Sequence, residues 1–361
     1  MSLPAFTARF ASPEERKTWD SHVTANPQGG NLLQSEAFAE VKSEYGWDLR
    51  FLVLECAEYA SYNLVLEKTF PLLGRLWYLI KGPDLAAVED IPAALAAVKK
   101  FVATQKLGVF AIKIEPDVPD SERARDLLSS AGLIKTPNLQ PNDSTAILDT
   151  TPEPQQLMRN LSSRARNAIR RAQREGVEVE KVTPNEENFR TMYRLMAGTI
   201  AEKGKTQMRD FEYYRKFWQG FIDRSQGRFY FVYEDGQAAV GAFVINYGWK
   251  GTYKDGGSLI KRSRYGDSHL VQWVAINDLK ELETPVAQYD FCGTPPVDRI
   301  KDNTHPHYGL GLFKTSFTKT AIDFVGCWDL VLSPLKYRGW NMAGERIARQ
   351  LYTRRTGQQF Y

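Results

Sequence analysis

The chain has 361 residues, 43% of them hydrophobic and 25% charged, a globular composition that is too long for one ordinary domain of ~100–200 residues. Collagenous, coiled-coil and low-complexity architectures are excluded, and no run approaches the ~18 uninterrupted apolar residues of a membrane-spanning helix. Forty-seven basic against 43 acidic residues leave a formal charge of only +4, which suits an enzyme with an anionic substrate better than a protein that coats nucleic acid.

The opening Met1-Ser2-Leu3-Pro4 lacks the basic-then-apolar order of a signal peptide, so a cytoplasmic protein is expected. Cys56, Cys292 and Cys327 are odd in number and widely spaced without a CxxC, which points to buried free thiols rather than disulfides or a zinc site.

In chain order, 34–42 reads as a helix, 49–55 and 76–80 as strands, 91–105 as a helix and 109–114 as a strand. Thr-Pro-Glu-Pro at 151–154 marks a linker or helix start, and a second α/β pass follows. Its predicted elements are a long helix over 155–175 stopped by Gly176, a strand at 177–182, and helices at 186–203 and 211–224. Strands are then predicted at 228–234, 237–247 and 250–254, the first two joined at Asp235-Gly236, where a tight turn needs φ > 0 at both central residues. A helix at 269–282 and a strand from Tyr289 come next, and Asp323-Phe-Val-Gly-Cys-Trp328 is strand-like. Two α/β domains are therefore expected, one over 1–150 completed by 325–361 and one over 151–324. The tail from Ser333 reads as a basic amphipathic helix; Lys and Arg beside Trp340 and Tyr352 suit a weak peripheral contact with anionic membrane, with a plain docking helix as the alternative.

Six arginines fall within Arg159–Arg174. At ~100° per residue Leu157, Leu161, Ala165, Ala168, Ile169 and Ala172 gather on one face, and Arg159, Arg166, Arg170 and Arg174 form a stripe on the other. Guanidinium forks match phosphate oxygens, so the stripe is a candidate for RNA or pyrophosphate; an ordinary solvated face is the competing reading. Arg264-Tyr-Gly-Asp-Ser268 stands where acetyl-coenzyme-A-dependent acetyltransferases carry a glycine-rich pyrophosphate loop, but its one glycine is out of register. Lys314, between Phe313 and Phe317, is a candidate to stabilise an oxyanion from a partly desolvated position, or else a snorkelling structural lysine. His305 and His307 lack a carboxylate pattern that would complete a metal site, and neither Gly-x-Ser-x-Gly nor HExxH occurs. No metal or organic cofactor is expected.

Several segments in order resemble the Fem aminoacyl ligase family, the non-ribosomal peptidyltransferases of peptidoglycan interpeptide bridges. They are Gln34-Ser-Glu-Ala-Phe-Ala-Glu-Val-Lys42, Lys81-Gly-Pro83, Ile114-Glu-Pro116, the 163–174 helix leading to Gly176-Val-Glu-Val179, Arg209-Asp-Phe-Glu-Tyr213, Gly256-Gly-Ser258, Tyr289-Asp-Phe-Cys-Gly293 and Leu312-Phe-Lys314. The resemblance implies an α/β (α+β) fold of two tandem N-acetyltransferase-like (GNAT-like) domains. The long coiled-coil arm of some members is not expected, because no heptad run exists here. It further implies transfer of an amino acid from aminoacyl-tRNA to a stem-peptide amine of a peptidoglycan precursor, lipid II or UDP-MurNAc-pentapeptide, by a monomer. By the same resemblance Lys42, Arg209 and Tyr213 hold the precursor's diphosphate and sugar region, Lys314 faces the reacting carbonyl, and Phe313, Glu115 and Asp255 contribute to substrate binding. The family often has an aspartate in place of Glu115 and a tyrosine in place of Asp255. Arg166, Arg170 and Arg174 are the residues expected to meet the tRNA. Two other readings stand beside this one: an acyl-coenzyme-A-dependent N-acyltransferase on another cell-envelope substrate, and a non-catalytic RNA-binding protein.

Overall fold

The computed structural model describes residues 5–140, 143–202 and 208–361; Met1–Pro4 and Lys203, which enter the sequence reading, lie outside them. Fourteen strands are seen among the described residues: β1 (Thr7–Phe10), β2 (Asp48–Glu55), β3 (Ala60–Phe70), β4 (Gly74–Leu79), β5 (Val109–Ile114), β6 (Leu133–Lys135), β7 (Ser144–Asp149), β8 (Glu180–Val182), β9 (Gly227–Glu234), β10 (Gln237–Tyr247), β11 (Lys250–Ser258), β12 (Gln288–Asp290), β13 (Ala321–Asp323) and β14 (Trp328–Val331). They form two seven-stranded sheets, ordered β1-β2-β3-β4-β5-β14-β6 and, from its other edge, β8-β9-β10-β11-β12-β7-β13. The chain divides into one unit of Met1–Asp143 with Phe324–Tyr361 and a second of Ser144–Asp323.

Each sheet repeats one plan. Four strands make an antiparallel meander, and the fifth runs parallel to the fourth. A parallel pair needs a crossover, supplied by the helix Ile91–Thr104 in the first unit and Asp267–Lys280 in the second. The sixth position is filled antiparallel by a strand from elsewhere in the chain, β14 against β5 and β7 against β12. Thus β7, which follows the first run of strands in sequence, pairs in the second sheet, and β14, which follows the second run, pairs in the first.

The second unit begins at Ser144 rather than at 151, because β7 hydrogen-bonds between β12 and β13. The single helix expected over 155–175 is two, Pro154–Asn160 and Ser163–Arg174. Leu161 is extended, and the Ser162 hydroxyl accepts the Ala165 N–H as the N-cap of the second helix, a local bond that competes with continuing the first. The strand expected at 177–182 shortens to β8, and β11 runs on to Ser258 instead of ending at 254. Gly257 permits that extension, since a Cβ there would lie 2.4 Å from the Leu195 carbonyl carbon and the Met196 nitrogen of the helix Glu186–Glu202.

The tail is helical as Pro334–Gly339, a π-turn at Trp340–Gly344, and Glu345–Thr356. Trp340 is buried against Phe70 and Phe110, and Tyr352 donates to the Tyr45 carbonyl at 2.7 Å, so these two aromatics face the protein and not a headgroup layer. Leu52, Val65, Leu79, Leu95, Val98 and Ile112 are part of the first unit's main core, and Ile169, Val244, Val271, Ile276 and Phe291 part of the second's. Among the described residues no helix is long and apolar enough to cross a membrane. The longest helix of the second unit, Glu186–Glu202, has 17 residues, and no long arm occurs among the described residues.

Candidate active site

In the second unit the register of β10 against β11 shifts so that Phe243 faces Asp255, Val244 faces Tyr253, and Lys254 is the extra residue. Such a bulge breaks the strand's alternation and re-aims side chains. Lys254 Nζ lies 3.3 Å from Asp255 Oδ1 and 5.0 Å from the Phe217 ring centroid, while Asp255 Oδ2 accepts the Trp218 indole N–H at 2.9 Å. Burial is the largest influence and works against the Lys254 charge, but the Asp255 carboxylate together with Tyr214, Cys292 and Tyr213 holds the ammonium above the usual lysine value. The neighbouring phenols respond in the opposite sense to charge. Burial raises Tyr213, with Arg209 and Lys254 drawing it partly back, and burial followed by Asp255 pushes Tyr214 up to about 12. Both stay protonated at neutral pH as potential donors.

Arg209 and Tyr213 are placed by the start of the helix Phe211–Asp223, where Asp210 caps the Tyr213 N–H at 2.8 Å. The Arg209 guanidinium stacks 4.4 Å over the Tyr213 ring, and its carbonyl accepts the Tyr193 hydroxyl at 3.0 Å.

Lys314 ends the helix Tyr308–Lys314 and is 6% exposed. Its ammonium donates to the carbonyls of Cys292 and Gly293, the latter at 2.8 Å, just beyond β12. It also sits 5.9 Å from the Tyr253 ring centroid. The Tyr253 ring can lie over the chain because residue 256 is glycine: a Cβ there would fall 1.7 Å from the tyrosine hydroxyl. Two carbonyls in the left-handed turn at Cys292 (φ 51°) and Gly293 (φ 43°) thus fix a cation at the end of the β11–β12 parallel pair.

The aromatic company expected around Lys314 belongs partly to a histidine. Phe313 packs edge-on to His269 at 4.8 Å, and Phe317 stacks on it at 5.4 Å. Burial, reinforced by Arg164, lowers the His269 pKa to about 4, so the ring is neutral. His269 Nε2 is 3.2 Å from Ser316 Oγ, Ser316 Oγ donates to the Phe313 carbonyl at 2.6 Å, and the Ser316 carbonyl accepts the Ser162 N–H at 3.0 Å. The turn after Lys314 is thereby tied to the N-cap of the arginine helix.

On that helix Ala165, Ala168, Ile169 and Ala172 are buried, and Arg170 and Arg174 are exposed on the opposite side. Arg166 is half-buried and donates to the carbonyls of Leu161 and Arg159, so it also closes the end of the preceding helix. Arg171 pairs with Glu175 at 2.6 Å. At the head of the helix Asp267–Lys280, where a pyrophosphate would have to sit, Asp267 Oδ1 takes the Ser268 N–H at 2.6 Å and pairs with Arg262 at 2.6 Å. A carboxylate in that place repels an anion.

Lys42 and Glu115 lie in the first unit. Lys42, 4% exposed, is carried on the helix Glu36–Glu44, capped by Ser35, with Nζ 5.3 Å from the Phe38 ring. Glu115 Oε1 accepts the Leu139 and Gln140 N–H groups at 3.1 Å each, and Oε2 accepts the Tyr78 hydroxyl. Its carboxylate therefore holds the loop before β7. Among the described residues no three His, Cys, Asp or Glu side chains gather as a metal site. Of the expected residues, Arg209, Tyr213 and Asp255 come together, with Lys314 near them through Tyr253 and Cys292. Lys254 and His269 were missed; the signal for Lys254 was a charged Lys-Asp pair in the middle of a strand.

Residues 133–238 match the model of the FemAB family. The crystal structure of FemX is similar over 93% of this chain and 99% of that one, with 19% identity and a TM-score of 0.75. A conserved protein of unknown function from Bacteroides thetaiotaomicron covers 91% of this chain and 99% of its own, at 12% identity and a TM-score of 0.54. A tandem GNAT protein from the clavulanic acid biosynthesis pathway covers 91% and 98%, at 12% identity and a TM-score of 0.47. No curated protein matches the sequence. Two α/β units of one strand plan thus stand in tandem, residues 133–238 carry the FemAB match, and the fold is shared with FemX over nearly its whole length.

Proposed function

We propose that the chain is a non-ribosomal aminoacyltransferase of cell-wall bridge synthesis. It moves an amino acid from aminoacyl-tRNA to an amine of a peptidoglycan precursor stem peptide, carried by lipid II or UDP-MurNAc-pentapeptide, at the cytoplasmic side of the membrane. The observation that carries this reading is the Lys314 ammonium fixed by the Cys292 and Gly293 carbonyls in the unit that holds Arg209, Tyr213 and Lys254.

Transfer from an ester to an amine needs no protein nucleophile; it needs aligned reactants, loss of one proton and a stabilised tetrahedral oxyanion. Lys314 supplies the fixed positive charge at the carbonyl, and Phe313 lines the approach. Arg209 with Tyr213 binds the acceptor's diphosphate and sugar region, and Asp255 keeps Lys254 charged beside them; Lys42 is a further acceptor-binding residue. Glu115 shapes the first unit's loop. Arg170 and Arg174 meet tRNA phosphates, with Arg166 setting the helix. The proton is taken by a substrate group.

The acyl-coenzyme-A alternative is opposed by Asp267 at the helix head, and titration with coenzyme A should show no heat of binding. The direct test is transfer of a labelled amino acid from charged tRNA to each precursor form, with mass spectrometry of muropeptides from a deletion strain. Formation of an amide on the stem peptide supports the function, and its absence with both acceptors and a mixed charged tRNA pool refutes it.

A further inference from the structure

The helical tail leaves a face that the proposed reaction does not use. Tyr337 and Trp340 turn inward, while Leu335 is 86% exposed, Met342 74%, Leu351 59% and Ile347 48%. Leu335 and Met342 stand seven residues apart, hence on the same side of the helical run. A turn and a strand flank them with further bare apolar groups. Leu72, 98% exposed, follows β3 on a turn whose Leu73 packs at Gly339 and Gly344. Ile134, on β6, shares with Met342 a groove of about 500 Å³. Scattered single apolar residues need no explanation, but a contiguous set on one element does.

The charge around this face has one sign. Between Pro334 and Thr356 the chain carries Lys336, Arg338, Arg346, Arg349, Arg354 and Arg355 against Glu345 alone, and Arg349 is the one paired with it. Lys336, Arg338, Arg346, Arg354 and Arg355 are exposed. A second copy of the chain would meet this face with the same positive charge, and RNA would have no use for bare leucine and methionine at its centre. An anionic bilayer takes both, phosphates at the basic rim and hydrocarbon at the apolar middle.

We infer that this face of the first unit, centred on Leu72, Leu335 and Met342 and ringed by Lys336, Arg338 and Arg346, docks the protein on anionic phospholipid membrane. The contact goes beyond the proposed catalysis and stands or falls without it.

Flotation of the full chain with phosphatidylglycerol–phosphatidylcholine vesicles, against phosphatidylcholine alone, tests it. The wild-type protein floats with the anionic vesicles and stays behind with the neutral ones. Leu72→Gln/Leu335→Gln/Met342→Gln, which keeps every charge, and Lys336→Gln/Arg338→Gln/Arg346→Gln, which keeps every apolar group, each lower the bound fraction by at least ~10-fold. All six side chains are exposed, so unchanged circular dichroism and melting temperature accompany the loss. No flotation of the wild type, or wild-type flotation by the apolar variant, overturns the assignment. So does a dimer in sedimentation that dissociates on Met342→Gln, which would make the face a self-association surface.

Discussion

The two units use the sixth position of the same sheet plan for different ends. In the first, β14 places Asp329 against Lys113 at 2.6 Å, both almost wholly buried, and the Tyr337 hydroxyl closes the pair at 2.9 Å. In the second, β7 places Thr145, whose hydroxyl donates to Asp290 Oδ1; that oxygen also accepts the Cys292 N–H at 2.7 Å and so sets the turn whose carbonyls hold Lys314. One slot is locked by an ion pair, and the other orders a cation at a site. A buried pair contributes little net stability, because desolvation offsets attraction, but it makes a demand on its partner strand. The comparison teaches that equivalent strands can be exchanged between sequence runs when each new strand brings the partner its sheet requires.

The largest expected effect tests the lock. Lys113→Met leaves Asp329 buried without its cation and should cost about 3–5 kcal/mol in denaturant unfolding, whereas Lys113→Met/Asp329→Leu should recover most of that. Equal stability of the single and double variants would mean that the pair does not seal the slot. In the second unit, His269 is neutral when folded, with a pKa near 4 against an ordinary 6.5. The folded state therefore binds fewer protons than the unfolded one as pH falls. Its stabilising contribution is complete above pH 6.5 and declines from there toward pH 4, by up to about 3 kcal/mol. Melting curves should show this decline in the wild type and a shallower one in His269→Gln; parallel curves would remove His269 from the account.

A smaller effect should follow from Thr145→Val, which removes one hydrogen bond to Asp290. A loss of about 1 kcal/mol in stability, with kcat reduced and acceptor KM little changed, would place Thr145 upstream of Lys314. The smallest is expected at the exposed stripe. Arg170→Gln/Arg174→Gln should weaken tRNA binding and reduce the slope of log affinity against log salt by roughly 1.4–1.8. An unchanged slope would return the two arginines to an ordinary solvated face.

What could be read before the fold was known follows burial pattern. The Asp235-Gly236 hairpin was legible because two apolar runs flank a turn that needs positive φ, and Asp235 (51°) and Gly236 (76°) have it. β3 was not, because Ser61, Asn63, Glu67 and Lys68 interrupt its apolar pattern. Three of these are fully or nearly buried, and Glu67 is satisfied by Arg50, Arg75 and Trp77 from the neighbouring strands. β7 and β14 were hard to place since each pairs in the sheet of the other run. For the site, motif order pointed to Lys314, Arg209 and Tyr213. The Lys254-Asp255 pair was visible but its placement was not, because that depends on a bulge, and His269 was missed because its partners, Phe313 and Ser316, lie over 40 residues on.

The central claim is that Lys314 stabilises charge that develops only as the amine attacks. Pre-steady-state transfer with Lys314→Met, which keeps the stem and removes the charge, separates that role from binding. The account predicts a folded protein with near-normal affinity for charged tRNA and acceptor and a transfer rate lower by on the order of 10²–10³-fold. A Lys314→Met protein that folds and transfers at close to the wild-type rate would contradict it.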